Sequence, residues 1–305
     1  MRVLITGITG FVGRHLARDL LAAGHEVFGA STETAALEGV SMLEADVTDP
    51  AAVHRMIADS DPEAILHLAG LSHVGESWKR PGDYLRVNFV GTRNLLHAAG
   101  GRRVLFASSA EVYGQVPESE QPISEDRLPS PRSPYAMTKA CTEVIALDRG
   151  AIVVRSFNSI GVGQARHFAL PSFASQLAAI ERGERDPKLR VGDLSPRRDF
   201  LHVGDAAAAY RTLMERGERG RIYNLASGRA LSIEQALDRL RSISGVDADV
   251  VVDPARVRPV DIPLLQGDNR RLQALGWEPQ AEGVERALRE LWQEIRQNPD
   301  EVADS

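Results

Sequence analysis

Short apolar runs alternate with longer amphipathic stretches along the first half of the chain. The runs are continuous rather than alternating, which is typical of parallel strands covered by helices on both faces. They predict strands at residues 3–5, 26–28, 40–44, 64–68, 104–107 and 152–154. Helices are predicted between them, at residues 15–23, after 49–50 and at 92–99. This β-α-β-α order predicts an α/β fold built on a doubly wound parallel sheet.

The pattern changes after residue 158. It predicts helices at residues 172–182, 233–243 and 284–296, a helix around Leu272, and strands at 189–191 and 250–252. Residues 257–265 contain two prolines and are predicted to form a loop. We expect residues 159–198 and 229–305 to form a smaller, interleaved α/β cap. Residues 199–228 are expected to return to the main sheet and to complete a domain with residues 1–158.

Composition and charge narrow the function classes. The chain has 305 residues, of which 43% are hydrophobic and 26% charged, as in ordinary globular proteins. Its formal net charge of −6 makes non-specific binding to nucleic acid or to an anionic membrane unfavourable, so neither partner is expected. Cys141 is the single cysteine, so no intramolecular disulfide can form, and a reducing, cytoplasmic location is expected. No metal site is predicted.

A glycine-rich turn, GITGFVG, joins the first predicted strand to the first predicted helix. Gly7, Gly10 and Gly13 let the backbone turn tightly and approach a pyrophosphate at a helix N-terminus. A glycine-rich turn that binds no ligand is the alternative. The second strand is followed by FGAST, without the acid that would bind an adenosine ribose. NADP(H) is therefore slightly favoured over NAD(H), with Arg14 as the nearest group for a 2′-phosphate.

A tyrosine and a lysine stand four residues apart in the segment YAMTK. This spacing places Tyr135 and Lys139 on one face of a helix. An ammonium near a phenol is expected to lower the tyrosine pKa and make it a usable acid or base. The segment SSAEVYG follows the fifth strand, at the sheet edge where open α/β folds bind ligands. A surface ion pair without catalytic function is the alternative.

Together these segments resemble the extended short-chain dehydrogenase/reductase family of sugar-nucleotide epimerases, dehydratases and reductases. The matching segments occur in family order over nearly the whole chain and are TGITGFVG, EADVTD, HLAG, NFVGT, SSAEVYG, YAMTK, RSFN, RRDFLHVGD and YNLASG. The resemblance implies a Rossmann-type dinucleotide-binding domain over residues 1–158 and 199–228. It also implies that the cap binds a nucleotide-diphosphate sugar.

The resemblance also implies roles for individual residues. It assigns catalysis to Ser109, Tyr135, Lys139 and Glu111. It assigns cofactor binding to Gly7, Gly10, Phe11, Val12, Gly13, Asp46, Val47, Leu68, Ala69, Gly70, Asn88, Ser108, Tyr135 and Lys139. It assigns substrate binding to Asn158, Arg198, Arg258 and Asp261. Asp205 is expected to be structural. His73 is either functional or an ordinary polar loop residue.

Three details narrow the activity within the family. Family dehydratases carry an acid–base pair after the serine or threonine, whereas here the pair is Ala110 and Glu111, and Ala110 cannot protonate a leaving hydroxyl. Glu111 could act as a base, bind sugar hydroxyls or support the loop. The segments FNSIGVGQ, LRVGDLSPRRDF and RPVDIPLLQGDNRRLQALGWEP resemble reductases of GDP-4-keto-6-deoxymannose. Ser159 and Val162 depart from the first of these segments, where those reductases have His and Pro.

The resemblance therefore implies NAD(P)H-dependent reduction of a nucleotide-linked 4-keto-6-deoxy sugar, with a GDP-sugar favoured. The first alternative is a sugar-nucleotide 4-epimerase or 4,6-dehydratase that keeps NAD tightly bound. The second is a non-catalytic dinucleotide-binding regulator on the same fold. Family members commonly dimerise through the helix that carries YAMTK, so a homodimer is expected. That helix must end near residues 148–150, earlier than usual, which could weaken the dimer.

Overall fold

The computed structural model describes residues 1–33, 35–256 and 262–299. The strands are β1 (Arg2–Thr6), β2 (Glu26–Ser31), β3 (Val40–Glu44), β4 (Ala64–His67), β5 (Arg103–Ser109), β6 (Ile152–Ser156), β7 (Asn158–Ile160), β8 (Lys188–Val191), β9 (Arg197–His202), β10 (Ile222–Leu225), β11 (Ala230–Ser232), β12 (Asp249–Val252) and β13 (Leu264–Leu265). The α-helices are α1 (Phe11–Ala22), α2 (Pro50–Ser60), α3 (Val74–Lys79), α4 (Pro81–Tyr84), α5 (Thr92–Ala98), α6 (Pro134–Asp148), α7 (Ala169–Glu181), α8 (Val203–Arg216), α9 (Ile233–Ser244), α10 (Arg270–Gln273) and α11 (Gly283–Gln297).

A seven-stranded parallel sheet in the order β10-β6-β5-β4-β1-β2-β3 forms the centre of the molecule. Helices α1 and α8 pack on the face that carries Val3 and Ile5, and α2, α5 and α6 pack on the face that carries Leu4 and Ile65. Burial on both faces accounts for the continuous apolar runs. The predicted doubly wound α/β fold is confirmed.

The chain leaves β1 in one direction along the sheet and returns to β4 on its other side. The carboxyl ends of β1 and β4 therefore lie next to each other where the strand order reverses. A crevice at such a reversal is the usual ligand site of an open parallel sheet. In this chain the crevice begins at Gly7, after β1, and at Leu68, after β4.

Two smaller sheets lie outside the central one. One contains β11, β9 and β13, with β7 paired to β9, and the other contains β12 and β8. Helices α7, α9 and α11 bury a separate apolar core around Leu189 and Val191. Among the residues described, no helix is long and apolar enough to cross a membrane.

The prediction that residues 199–228 return to the main sheet holds for α8, which packs on that sheet, and for β10, but not for β9. Only β10 joins that sheet, beside β6, whereas β9 lies in the smaller sheet with β7, β11 and β13. Polar residues such as Arg198 and Asp199 give β9 a pattern that does not indicate its partner strands. The division of the chain into two domains remains a prediction.

Two other elements differ from their predicted bounds. Helix α1 begins at Phe11, before the predicted start at residue 15, because Gly13 lies inside the helix rather than in the turn. Residues 264–265 form β13, which pairs with Arg197 and Arg198, although residues 257–265 were predicted to be a loop. Residues 257–261 lie outside the described residues.

Asp199 joins β9 to the loops that follow β10 and β13. Its buried carboxylate accepts hydrogen bonds from the backbone N–H groups of Ser227, Gly228 and Gly267 and from the Ser227 hydroxyl, at 2.6–3.2 Å. Burial raises the pKa of Asp199 to about 6, and these hydrogen bonds oppose that rise. One side chain thus holds three segments that are distant in sequence.

We expect Asp199→Ala to lower the free energy of unfolding by roughly 3 kcal/mol, because it leaves buried N–H donors unsatisfied. Asp193→Ala is the matched control, since this exposed carboxylate accepts one backbone bond from Ser195 at 2.9 Å. The control should cost less than about 0.5 kcal/mol. Urea denaturation measures both values, and equal losses in the two variants would contradict the role of Asp199.

Candidate active site

The glycine-rich turn lies in the crevice between β1 and β4. Gly7 has a φ of +72°, and a Cβ there would lie 2.7 Å from the backbone nitrogen of Ala69. A Cβ on Gly13 would lie 2.4 Å from the Gly7 carbonyl oxygen and 2.7 Å from Ile8 Cα. Only glycine therefore permits this close approach of α1 to the turn. Gly10 is the N-cap residue of α1. Because it has no side chain, it forms no side-chain hydrogen bond to the first N–H groups of the helix.

This arrangement fits a pyrophosphate. The first N–H groups of a helix, here those of Phe11, Val12 and Gly13, have no intrahelical acceptor and point toward the crevice side of the turn. The exposed Arg14 side chain is fixed next to the turn, because its Nε donates to the Thr9 carbonyl oxygen at 2.8 Å. Thr9 Oγ1 lies 3.4 Å from the hydroxyl of Ser31, the last residue of β2.

The opposite wall of the crevice follows β4. Leu68 and Ala69 are half-buried and Gly70 is exposed. Asn88 is fully buried and fixes this segment, since its amide accepts from the Leu71 N–H at 2.8 Å and donates to the Leu71 carbonyl at 3.0 Å. A Cβ on Gly70 would meet Asn88 Oδ1 at 2.9 Å. Asn88 is thus a support for the crevice wall.

Asp46 and Val47 lie beyond the end of β3. The Asp46 carboxylate accepts from the Thr48 N–H at 2.8 Å and is exposed. Val47 is buried against Gly91, and its carbonyl accepts from the Asn94 side chain at 3.1 Å. The two residues follow β3 at the edge of the sheet, and their assignment to cofactor binding stays a prediction.

Tyr135 enters the crevice from the first turn of α6. Ser133 caps this helix by accepting from the Ala136 N–H at 3.1 Å. Burial raises the pKa of Tyr135, the interaction with the Ser109 hydroxyl opposes the rise, and the Glu111 carboxylate adds to it. The expected net lowering of this pKa is wrong, because removal from water dominates. Tyr135 therefore keeps its proton at neutral pH.

Ser109 ends β5 and begins the 3₁₀ turn Ala110–Tyr113. Its hydroxyl oxygen accepts from the Glu111 N–H at 3.2 Å, which fixes the side chain at the sheet edge. Ala110 is buried, while Glu111 is half-buried and close enough to Tyr135 to affect its pKa. The structure thus brings Ser109, Glu111 and Tyr135 together.

Lys139 lies one turn after Tyr135 and is buried. Its Nζ donates to the Ala107 carbonyl oxygen at 2.7 Å and lies 5.0 Å from the centre of the Phe106 ring. Burial lowers the pKa of Lys139 to about 8, and the Glu143 carboxylate opposes the fall. A Cβ on Gly70 would lie 3.4 Å from this Nζ. Lys139 therefore faces the same crevice as the wall after β4.

Two residues near Ser109, Tyr135 and Lys139 were not predicted from the sequence. His67 is buried, and its ring nitrogens lie 2.6 Å from the Thr6 hydroxyl and 2.8 Å from the Thr92 hydroxyl. Burial, with a smaller contribution from Lys139, lowers the pKa of His67 to about 3, so the ring is neutral. The sequence signal that could have indicated it is a histidine at the end of an otherwise apolar strand.

The second missed residue is Tyr84. Its ring lies edge-on to that of Tyr135, with centroids 6.3 Å apart, and its hydroxyl donates to the His73 carbonyl at 2.6 Å. His73 itself caps α3 by accepting from the Glu76 N–H at 3.0 Å. Tyr84 therefore packs against the Tyr135 ring, and the His73 carbonyl holds Tyr84 in that position.

Ser108 has its hydroxyl directed away from the crevice. The hydroxyl donates to Glu143 Oε1 at 2.5 Å within a buried polar cluster. A cofactor contact by Ser108 would thus come from its backbone.

Two of the predicted substrate residues, Asn158 and Arg198, lie on the smaller sheet. Asn158 is exposed at the start of β7, which pairs with β9. Arg198 on β9 is buried, and its Nη1 donates to the carbonyl oxygens of Arg197 and Ile262 at 3.0 and 2.6 Å. Arg258 and Asp261 lie outside the described residues. Asp205 is buried at the start of α8, where its carboxylate accepts from the Gln280 N–H at 3.1 Å.

Comparisons with known proteins agree with this geometry. The family model described as GDP-mannose 4,6 dehydratase matches residues 4–291. GDP-6-deoxy-D-mannose reductase of Pseudomonas aeruginosa is 37% identical over 290 residues, covering 92% of each chain. The structure of RMD from Pseudomonas aeruginosa complexed with NADPH has a TM-score of 0.85 and 33% identity, covering 98% of this chain and 100% of that one. The UDP-glucose 4-epimerase of Thermus thermophilus in complex with NAD has a TM-score of 0.86 and 30% identity, covering 97% and 99%.

The fold and the site together define an enzyme with a Rossmann-type dinucleotide crevice. The chain belongs to the extended short-chain dehydrogenase/reductase family, as the matched motifs implied.

We expect Gly13→Ala to lower the free energy of unfolding by roughly 1–3 kcal/mol, the usual cost of overpacking. It should also weaken NADPH binding, because the added methyl group pushes α1 away from the turn. Gly82→Ala is the matched control, since no described atom lies within 4 Å of a Cβ there. Thermal unfolding and NADPH fluorescence titration measure the two effects. Unchanged NADPH affinity in Gly13→Ala would contradict the assignment of the turn.

Proposed function

We propose that this enzyme reduces the ketone of a nucleotide-linked 4-keto-6-deoxy sugar, with GDP-4-keto-6-deoxymannose as the favoured substrate. The proposal is supported by the similarity to a GDP-6-deoxy-D-mannose reductase over most of both chains. The cofactor is a nicotinamide dinucleotide bound at the glycine-rich turn. Bound there, it supplies the hydride for the ketone carbon.

The observation that carries this proposal is the protonated Tyr135 beside Ser109 and Lys139. Ketone reduction needs a proton donor at the carbonyl oxygen, and burial keeps the Tyr135 proton in place at neutral pH. The Ser109 hydroxyl, at the same sheet edge, is placed to hydrogen-bond that oxygen. The Lys139 ammonium stabilises the negative charge that develops on the phenol as its proton leaves.

Ala110 favours a reductase over a dehydratase. Elimination of water requires an acid that protonates the leaving hydroxyl, and the buried Ala110 has no such group. Glu111 is proposed to bind sugar hydroxyls or to support the turn. A 4-epimerase with tightly bound NAD is the second candidate, favoured by the likeness to the Thermus thermophilus enzyme. A non-catalytic regulator is disfavoured, because Ser109, Tyr135 and Lys139 are all present.

The cap supplies the substrate site in this proposal. Asn158 and Arg198 lie on neighbouring strands of the smaller sheet, and Arg198 brings a guanidinium suited to a diphosphate. Arg258 and Asp261 are proposed to complete this site.

A homodimer through α6 is also part of the proposal. Met137, Cys141 and Val144 follow one another at helical spacing on this helix, and all three are exposed. The helix ends at Asp148, as predicted from the short segment that follows Lys139. The single cysteine favours a cytoplasmic location.

The direct test is oxidation of NADPH or NADH by the purified protein in the presence of GDP-4-keto-6-deoxymannose. Tyr135→Phe should lower kcat by about 10²–10⁴-fold, the usual contribution of a positioned acid. Tyr223→Phe is the matched control, because its hydroxyl accepts from the Glu218 N–H at 3.0 Å, at the β10 edge of the sheet. It should keep full activity.

Two outcomes would overturn the proposal. Absence of NAD(P)H oxidation with every 4-keto sugar nucleotide would exclude the reductase. Turnover without added reductant, by protein purified with its cofactor, would identify an epimerase or dehydratase instead.

NADP(H) is the preferred cofactor in this proposal, and Arg14 is the residue that tests it. Because Arg14 is fixed to Thr9 near the end of β2, we expect Arg14→Ala to raise the KM for NADPH roughly tenfold, the effect of one charge-assisted hydrogen bond. The KM for NADH should not change. Arg18→Ala, one turn further along α1, is the control. Equal changes for both cofactors would contradict the preference.

A further inference from the structure

We propose that Glu143, held by Arg155, is a positioning residue of the reductase, which keeps Lys139 charged and aligns it with Ser109. This inference rests on the proposed function of Tyr135, Lys139 and Ser109. It adds to the catalytic set a carboxylate that touches neither substrate nor cofactor.

The Glu143–Arg155 ion pair is almost completely removed from water. The exposed fractions of the two side chains are 3% and 2%. Arg155 Nε donates to both carboxylate oxygens at 3.0 and 3.2 Å, and Nη2 donates to Oε2 at 2.7 Å. This multiple contact fixes the Glu143 side chain in one orientation.

Glu143 lies one helical turn after Lys139, on the same buried face of α6. A carboxylate at this spacing attracts the buried ammonium and favours its charged form. Burial alone opposes the charged form, and the Lys139 pKa of about 8 is the balance of these two effects. Without Glu143, the balance shifts toward the neutral amine.

The same carboxylate fixes the end of β5. It accepts the Ser108 hydroxyl at 2.5 Å, and Ser108 directly precedes Ser109. Arg155 in turn lies 4.6 Å from the centre of the Tyr113 ring, in the turn that begins after Ser109. The Tyr113 hydroxyl donates to Asn224 Oδ1 at 2.6 Å. The ion pair therefore connects α6, β5, β6 and the turn after Ser109.

Other titratable groups near Lys139 do not replace this carboxylate. Titratable groups on the elements around Lys139 include the neutral His67 on β4, Tyr84 on α4, Glu111 in the turn after β5, Tyr135 on α6 and the cationic Arg155 on β6. The buried rings are uncharged at neutral pH. Glu143 is the group whose negative charge raises the pKa of Lys139.

The test compares Glu143→Gln with the wild-type reductase over a range of pH. The amide keeps the shape of the side chain and can still accept a hydrogen bond from Ser108. We expect the alkaline limb of kcat/KM to move about 1 unit or more toward lower pH, as one nearby charge shifts a buried pKa. The shift is downward because the ammonium loses the carboxylate that opposes its desolvation. We expect kcat to fall more than the KM values change.

Leu240→Ala is the control for general loss of stability. Leu240 is fully buried in the separate core around α9, outside the catalytic set. It should lower the melting temperature but leave the pH profile of the remaining folded enzyme unchanged. Glu143→Asp, which keeps the charge, should restore part of the alkaline limb.

The outcomes distinguish a failure of the proposed reductase function from a failure of the positioning role of Glu143. An inactive wild-type enzyme overturns the proposed function, and with it the inference. An active wild-type enzyme whose pH profile and kcat are unchanged in Glu143→Gln overturns the inference alone. A loss of activity that follows the melting temperature, with an unmoved pH profile, also overturns it, since a purely structural pair would behave in this way.

Discussion

The removal of three charged side chains from water at the end of β5 is the constraint on which the site depends. Lys139, Glu143 and Arg155 are each no more than 5% exposed. Desolvation of each ion costs several kcal/mol, which attraction offsets only when the geometry is good. Around Lys139 this geometry consists of the Ala107 carbonyl, the Phe106 ring and a carboxylate one turn away. Loss of Glu143 would leave two buried cations, Lys139 and Arg155, without the carboxylate that offsets them.

The second constraint is the absence of side chains at Gly7 and Gly13. It brings the cofactor crevice next to the three buried charges. The close contact of Gly7 with Ala69 brings the turn after β1 to the segment after β4. That segment continues to Gly70, which lies beside Lys139 and Asn88. The close backbone contact between Gly7 and Ala69 thus forms one side of a cleft, and the buried Lys139 lies on its other side. The side chains proposed to react lie in it because parallel strands all present their carboxyl ends at one edge.

The sequence predicted the central sheet well because its strands are buried on both faces and read as unbroken apolar runs. It also predicted that Ser109 lies at a strand end and that Tyr135 and Lys139 lie on one helical face, and the structure places them so. It did not predict the partners of β9, because Arg198 and Asp199 form long-range contacts that no local pattern encodes. The neutral state of His67 was not predictable either, since it depends on burial and on hydroxyls from two other elements. The same holds for Tyr135, whose pKa is set by desolvation rather than by its neighbour in the motif.

The raised pKa of Tyr135 and the small side chain of Ala110 have a common chemical consequence. A buried phenol holds its proton until an acceptor enters the cleft, and a ketone that gains hydride becomes such an acceptor. At position 110, a methyl group in a buried environment can neither donate a proton to a leaving hydroxyl nor hold a water there. Addition of hydrogen across a carbonyl can therefore proceed with the hydroxyls of Ser109 and Tyr135, whereas elimination would need a proton donor that position 110 lacks. The half-buried Glu111 raises the Tyr135 pKa further, so its charge strengthens the protonated state from which reduction begins.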